Sequence, residues 1–307
     1  ILPLIISIPY YFGLNYLSFI DSYFEAVSGF TSTGFSIFEN VKYIDQSLLL
    51  WRSTSQWFGG LYFLISILFL IDLYDNNYKK ILTNFISLDI YEIIKQSAKI
   101  LFVYTLITIS LFFIYKLINL RSFDAFNLSL TIISSGGFLI VNNLSEILQF
   151  NYQIYFFSLT MLISFFGILL PYNIFFLKKK DLLVFTEDYY LLIYVTLLIF
   201  LFFIFFNQDN NFSITFFSLV SSISNIGFSF NTSNYNFIYL ILVIIGGSLV
   251  STSSGLRFLK IYLLTKFSIN ALVSHSKPKH VLLNKVQFSK VKIDNDDINK
   301  YFFTVII

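Results

Sequence analysis

Long apolar runs alternate with short polar stretches along the whole chain. A helix needs about 20 mostly apolar residues to cross a bilayer. Runs of that kind predict membrane spans at 51–71, 101–120, 154–177, 189–206 and 236–265. The runs at 1–17 and 301–307 predict partial spans. Because the chain starts and stops inside these runs, we expect it to be a fragment of a longer protein.

The basic residues are distributed unevenly between the spans. Clusters of Lys follow the runs that end at 71, 177 and 265, and the positive-inside rule places these clusters in the cytoplasm. The alternate stretches 36–50, 139–153 and 207–235 contain only Lys42. This orientation is consistent if a segment that does not cross the membrane lies on the outside, between the two spans of each pair.

Such a segment occurs three times, at 18–36, 121–139 and 211–229. When the copies are aligned on Gly34, Gly137 and Gly227, each has Phe next, hydroxyls three and six positions before, and an aromatic residue eleven before. Each copy predicts a helix of about three turns. A helix of ~12 residues is only ~18 Å long, too short for a ~30 Å hydrocarbon core. We therefore expect it to enter the membrane and return.

The polar loop after each short helix suits a cation. Non-helical backbone at membrane depth survives only when it is buried in protein or beside water, and rings of carbonyls can replace the hydration shell of an ion. The glycine permits the backbone conformation, and the dipole of the short helix places partial negative charge at the loop. An ordinary extracellular turn is the alternative for any single loop; three aligned copies favour pore loops. The predicted filter residues, acting through their backbone carbonyls, are Thr31, Ser32, Thr33, Gly34, Ser134, Ser135, Gly136, Gly137, Ser224, Asn225, Ile226 and Gly227.

Composition excludes several classes of protein. Of the 307 residues, 56% are hydrophobic and only 12% are charged, about half the charge of an average soluble domain. A soluble enzyme, a disordered chain and a nucleic-acid binder are therefore poor readings. The net charge of +3 indicates no polyanionic partner. The chain has no cysteine, which excludes disulfides and thiolate metal sites.

The motifs together resemble the Trk/Ktr/HKT family of potassium transporters. The family's first pore segment and the helix after it resemble DSYFEAVSGFTSTGFS at 21–36 and LLLWRSTSQWFGGL at 48–61 of this chain. The second and third match SFDAFNLSLTIISSGGF and FFSLVSSISNIGFS, and GGSLVSTSSGLRFLK at 246–260 is similar to the Gly-rich interruption of the family's third repeat.

The resemblance implies an all-α integral membrane fold. Helix–pore-helix–helix repeats surround a pseudo-fourfold central pore, with one filter glycine per repeat, and about three of the four repeats are present here. The implied organisation is a first repeat at 1–71, a cytoplasmic linker at 72–100, a second repeat at 101–180, a third at 181–265, a basic cytoplasmic linker at 266–300 and the start of a fourth repeat at 301–307.

The stretch 246–255 interrupts a hydrophobic span with Gly, Ser and Thr. Glycine weakens a helix by ~1 kcal/mol relative to alanine, and a helix that is merely flexible or closely packed would also explain the composition. The resemblance implies a gating loop beneath the filter, in which Arg257 takes the place of the family's Lys. The gating residues would be Gly246, Gly247, Ser248, Ser251, Thr252, Ser253, Ser254, Gly255 and Arg257.

Several polar residues have two readings. Arg52 could snorkel to the interface beside Trp51 or be tied to the first pore helix through Glu25. Asp21 and Asp124 could be helix N-caps or an acidic vestibule that attracts cations. The Phe after each filter glycine is expected to pack behind its loop.

The expected function is uptake of K⁺ through the carbonyl filter, with no enzyme activity and no bound cofactor. A sodium or mixed Na⁺/K⁺ transporter of the same fold is the alternative. A non-transporting membrane scaffold or a membrane enzyme acting on lipid substrates would belong to a different class. The protein is expected to cross a bacterial plasma membrane several times, in contact with lipid and without nucleic acid. The family implies a homodimer and a cytosolic nucleotide-binding regulatory subunit.

Overall fold

The computed structural model describes residues 1–74, 90–168, 186–206, 212–230, 236–248 and 250–276, together with Pro171 and Phe175. Within these residues the regular structure is entirely helical, as predicted. The α-helices are α1 (Leu2–Gly13), α2 (Phe19–Phe30), α3 (Gln46–Tyr74), α4 (Ile90–Leu117), α5 (Ser122–Ile133), α6 (Asn151–Phe165), α7 (Thr186–Phe206), α8 (Phe212–Ser224), α9 (Asn236–Ile245) and α10 (Phe258–Ser276). Two short 3₁₀ helices, Val41–Tyr43 and Leu144–Glu146, lie in connecting segments.

Three short helices occupy the predicted non-crossing segments. Helices α2 and α5 have 12 residues each and α8 has 13, which confirms the expected length of about three turns. Each packs against two longer or flanking helices: α2 against α1 and α3, α5 against α4 and α3, and α8 against α6 and α9. The contact of α5 with α3 joins the first repeat to the second.

The surface of the bundle is apolar and much of its interior is polar. On α7, Phe200, Phe203 and Ile204 are 64%, 51% and 57% exposed, whereas many Ser and Thr side chains on α5, α6 and α8 are buried. Water would favour the opposite arrangement. Among the described residues, one helical segment, Ile94–Leu117, is long and apolar enough to cross a membrane.

Most predicted spans coincide with helices, and one is wrong in extent. The span at 236–265 is interrupted between α9 and α10, as its glycines indicated. The span at 154–177 is not one helix through its described part, because α6 ends at Phe165 and the chain leaves helical geometry through Ile168. The linker predicted at 266–300 and the segment at 301–307 lie largely or wholly outside the described residues.

The acidic residues are not the N-caps. Ser18 caps α2: its hydroxyl accepts the Asp21 N–H at 3.1 Å and donates to the Asp21 carboxylate at 2.7 Å. Asp124 lies in the first turn of α5, where Arg121 Nε donates to it at 2.8 Å. Both carboxylates therefore stand inside the first turn, where the positive end of the helix dipole favours them.

Candidate functional site: three pore loops and an interrupted helix

The three pore helices end in the same backbone turn. The residue two positions before each aligned glycine has a left-handed conformation, with φ of 54° at Ser32, 52° at Ser135 and 58° at Asn225. The N–H of the following residue donates to a carbonyl five residues back in each loop, at 3.0 Å, 2.9 Å and 3.3 Å. This is the Schellman arrangement that closes helix C-termini. Its left-handed position normally favours Gly, so Ser and Asn there carry backbone strain.

Each aligned glycine then reverses the chain. Gly34, Gly137 and Gly227 have φ of 81°, 76° and 83°, a conformation that L side chains rarely adopt. In the first loop the Ser28 hydroxyl donates to Phe35 O at 2.5 Å. In the third loop Ser221 makes the equivalent bond to Phe228 O at 2.6 Å. In these two loops the backbone around the glycine is thus fixed on one side by the C-cap of the short helix and on the other by the serine hydrogen bond, which we call the serine clamp.

The three loops contact one another in sequence. A Cβ placed on Gly34 would lie 2.6 Å from Gly136 O and 3.4 Å from Gly137 Cα. A Cβ placed on Gly137 would lie 2.5 Å from Ile226 O. In both cases the glycine of one loop faces the carbonyl just before the glycine of the next. All the predicted filter residues therefore lie in one cluster.

The hydroxyls three positions before the aligned glycines form hydrogen bonds within the last turn of their own helices. The side chains three positions before the glycines donate to carbonyls one turn back: Thr31 to Val27 O at 2.8 Å, Ser134 to Leu130 O at 3.0 Å and Ser224 to Val220 O at 2.8 Å. These hydroxyl hydrogens are therefore engaged within the helices, and the backbone carbonyls of the same loops are the ligands that the sequence predicts for an ion.

A buried ion pair ties the first loop to the second. Arg52 Nε donates to Glu25 Oε1 at 2.8 Å, and the two side chains are 2% and 0% exposed. Glu25 also accepts from Ser36 Oγ at 3.0 Å and from Ile37 N at 3.0 Å, just after the first loop. The other end of the guanidinium donates to Leu139 O, just after the second loop, at 3.1 Å. Arg52 is thus tied to Glu25, one of its two predicted readings.

Helix α3 follows the second loop along one face. Arg52, Gln56 and Gly60 are spaced four residues apart and so form one stripe. Arg52 contacts Leu139 O, Gln56 Nε2 donates to Gly136 O at 2.5 Å, and a Cβ on Gly60 would lie 2.9 Å from the Ser134 Cβ. A helix of the first repeat therefore supports the loop of the second.

The Phe residues after the glycines differ. Phe138 is 2% exposed, and the guanidinium carbon of Arg52 lies 4.3 Å from its ring centroid. Phe228 is 3% exposed and stacks on Phe157 at 6.0 Å. Both pack behind their loops, as expected. Phe35 is 70% exposed, so the packing role predicted for it is wrong in this structure.

The interrupted helix forms a closed loop between α9 and α10. Gly246 and Gly255, with φ of 70° and 95°, meet where the loop begins and ends, because a Cβ on Gly246 would collide with Ser254 O. Ser248 N donates to Phe165 O at 3.0 Å, and Ile168 N donates to Val250 O at 2.9 Å. The loop therefore docks on the chain just past the end of α6.

Arg257 holds the centre of this loop. Its Nη1 donates to Ser253 O at 2.6 Å, Ser248 O at 3.1 Å and Ser251 O at 3.2 Å. Backbone carbonyls without helical partners are costly inside a membrane, and one cation satisfies several of them here. The backbone of the loop is therefore held in one conformation by Arg257.

The interrupted-helix loop packs against the ends of the second and third short helices. Thr252 Oγ1 donates to Ile133 O, at the end of the second pore helix, at 2.8 Å. Asn225 Nδ2, in the third pore loop, donates to Ser254 O at 3.0 Å. A cavity of 410 Å³ remains between the two sides. Its lining includes Ser32, Ser135 and Asn225 from the pore loops and Thr252, Ser253 and Ser254 from the interrupted helix.

Two of the residues that line this cavity have a side-chain oxygen without a hydrogen-bond partner among the described residues. The oxygens are Ser32 Oγ and Asn225 Oδ1, and both atoms are buried. Buried polar atoms are nearly always paired with protein, water or an ion. The polar part of the cavity lining comes mostly from Ser, Thr and Asn residues of the pore loops and the interrupted helix, beside the aromatic residues Phe30, Tyr62 and Phe63.

Sequence reasoning missed two groups beside the site. Gln56 was not assigned a role from the sequence, although its amide donates to Gly136 O. Asp188, which is 8% exposed, accepts the Gly167 N–H at 3.3 Å, close to where the interrupted helix docks. An acid at the start of an apolar span is a signal that could have found it.

Known transport proteins are similar in sequence to parts of this chain. No family model matches the chain. An uncharacterized cation transporter of Methanocaldococcus jannaschii is 30% identical over 146 residues, which cover 44% of this chain and 29% of that protein. The Trk system potassium uptake protein TrkI of Halomonas elongata is 38% identical over 55 residues, which cover 18% of this chain and 11% of that protein.

The crystal structure of the potassium transporter TrkH from Vibrio parahaemolyticus has the same fold. It superposes on the chain with a TM-score of 0.82 at 20% sequence identity, and the match covers 100% of this chain and 66% of TrkH. The matched residues cover less than a third of the length of each of the two sequence relatives. These similarities are to transporters rather than enzymes, and they support the resemblance that the motifs indicated: the chain has the helical fold of TrkH, and parts of its sequence are similar to a cation transporter and to a potassium uptake protein.

Proposed function

We propose that the three pore loops bind K⁺ through their backbone carbonyls and form part of a pathway for K⁺ uptake across the membrane. The observation that carries this proposal is that each loop contacts the next: Gly34 faces Gly136 O, and Gly137 faces Ile226 O. Three loops of the same backbone conformation converge, so their carbonyls can surround one dehydrated ion.

Charge at the site favours a cation. Helices α2, α5 and α8 all end at the loops, so the partial negative charge of each C-terminus faces the same place. Ser32 and Asn225, each with a side-chain oxygen that has no partner among the described residues, line the cavity behind the loops. Potassium is the proposed substrate because TrkI and TrkH are named for it. Sodium remains the alternative, since a single glycine per loop suggests fewer layers of carbonyls than a longer filter has.

The loop at 246–255 is proposed as the gate. It lies across the inner side of the cavity and is held by a few hydrogen bonds, among them those from Thr252 to Ile133 O and from Asn225 to Ser254 O. Breaking these bonds would let it move aside without unfolding a helix. The pseudo-fourfold pore, the homodimer and the cytosolic nucleotide-binding subunit that the resemblance implies also remain predictions.

Ion uptake tests the filter assignment. Cells that lack their own K⁺ uptake systems would express the protein or its Gly137→Ser variant, and the initial rates of K⁺ and Na⁺ entry would be compared. We expect the variant to lose K⁺ preference, because a Cβ on Gly137 would press on Ile226 O. Gly13→Ala is the matched control, since its Cβ would meet only the Leu48 side chain, at 3.2 Å. An unchanged ion preference in Gly137→Ser would contradict the assignment.

A further inference from the structure

The second pore loop is held differently from the other two. In the first and third loops a serine of the pore helix donates to the carbonyl of the Phe after the glycine. The equivalent residue of the second repeat, Thr131, instead donates to Asn127 O at 3.1 Å. The serine clamp seen in the other two loops is therefore replaced in the second.

The replacement is the side-chain amide of Gln56, which comes from the first repeat. Its Nε2 donates to Gly136 O at 2.5 Å and its Oε1 accepts from Phe138 N at 3.4 Å, so the amide spans the aligned glycine. Gln56 is fully buried, with 0% exposure. A Cβ on Gly136 would collide with the Gln56 amide, so glycine at this position makes room for it.

The carbonyl that Gln56 holds is part of the proposed ion path. Gly136 O is the atom that Gly34 of the first loop faces. A carbonyl that accepts a hydrogen bond from a buried amide is fixed in position by that bond. A free carbonyl could tilt toward a smaller ion, which would favour Na⁺.

Between the second and third repeats, the position of α6 that corresponds to Gln56 of α3 carries no amide. Phe157 of α6 stacks on Phe228 much as Arg52 of α3 stacks on Phe138. Four residues further along α6 stands Met161, whose side chain is buried and has no N–H to donate. The amide contact is therefore a property of the second loop that the third does not share.

We propose that Gln56 is a specificity-determining positioning residue, which sets the preference for K⁺ over Na⁺ by holding the Gly136 carbonyl. The inference rests on the proposed filter function. It assigns the second loop a role in selectivity of its own, because there the Gln56 side chain, which comes from helix α3, bonds to the peptide on both sides of Gly137.

The test is the Gln56→Met variant, which keeps the length of the side chain and removes its donor. Uptake of K⁺ and Na⁺ would be measured at several concentrations, together with the amount of folded protein in the membrane. We expect the K⁺/Na⁺ ratio of uptake efficiencies to fall about threefold to tenfold, the effect of one net hydrogen bond. Gln46→Met, at an exposed position of the same helix, should leave the ratio unchanged.

A second variant separates selectivity from folding. Gln56→Glu keeps the shape and can still accept from Phe138 N–H, but an ionised carboxylate cannot donate to Gly136 O. If Gln56→Met does not fold, a lowered ratio in Gln56→Glu supports the inference. An unchanged ratio in whichever variant folds overturns it while the filter assignment stands. A wild-type protein that takes up no cation overturns the proposed function and this inference together.

Discussion

Replacing Glu25 with Gln removes the only carboxylate that Arg52 is bonded to within the described residues. The pair is almost completely shielded, with exposures of 0% for Glu25 and 2% for Arg52. Removing one member of such a pair leaves an uncompensated buried charge and costs about 3–5 kcal/mol. Gln preserves the size of the side chain and can still accept from Ile37 N–H, so we expect the lower end, about 3 kcal/mol, in the free energy of unfolding.

A double-mutant cycle isolates the ionic part of this cost. Glu25→Gln, Arg52→Gln and the double variant would be unfolded in detergent by heat or denaturant. Once one charge is gone, removing the other should cost little or restore stability, so we expect a coupling of about 2 kcal/mol, within the range for contacting residues. The exposed pair of Lys42 and Glu146, with side chains 55% and 33% exposed, is the control and should couple by less than about 1 kcal/mol. Additive effects at Glu25 and Arg52 would refute the reasoning.

Two further predictions concern packing and the proposed gate. Gly59→Ala should destabilise the protein by about 1–3 kcal/mol, as overpacking does, because its Cβ would collide with Phe30 O; equal unfolding midpoints for Gly59→Ala and Gly13→Ala would contradict this. Thr252→Val removes the hydroxyl that donates to Ile133 O and keeps the side-chain shape, so basal K⁺ flux should rise. Arg257→Gln removes three carbonyl contacts and should raise it further, and a fall to zero flux in a folded variant would argue against a gate.

The sequence was most informative where structure is local. The short helices, the glycines at positive φ and the break in the span at 236–265 follow from apolar run length and from the placement of Gly, which depend on neighbouring residues alone. The tie between Arg52 and Glu25 could be proposed because a charge at membrane depth requires a partner.

What the sequence could not supply depends on packing between repeats. Gln56 and Gly136 are 80 residues apart, and Thr252 and Ile133 are 119 apart. No periodicity relates residues at such separations, since their contact depends on how α3 and the interrupted helix lie against the second repeat. The early end of α6 at Phe165 was missed for the same reason, because the chain beyond it bonds to the segment between α9 and α10 instead of continuing the helix.

Anomalous diffraction from crystals grown in Rb⁺ tests the central claim most directly, since Rb⁺ is a close substitute for K⁺. The account predicts a strong peak within coordination distance of backbone carbonyls from all three loops, beside Gly34, Gly137 and Gly227. A peak that lies elsewhere in the bundle, or none at the loops in a protein that transports Rb⁺, would contradict it.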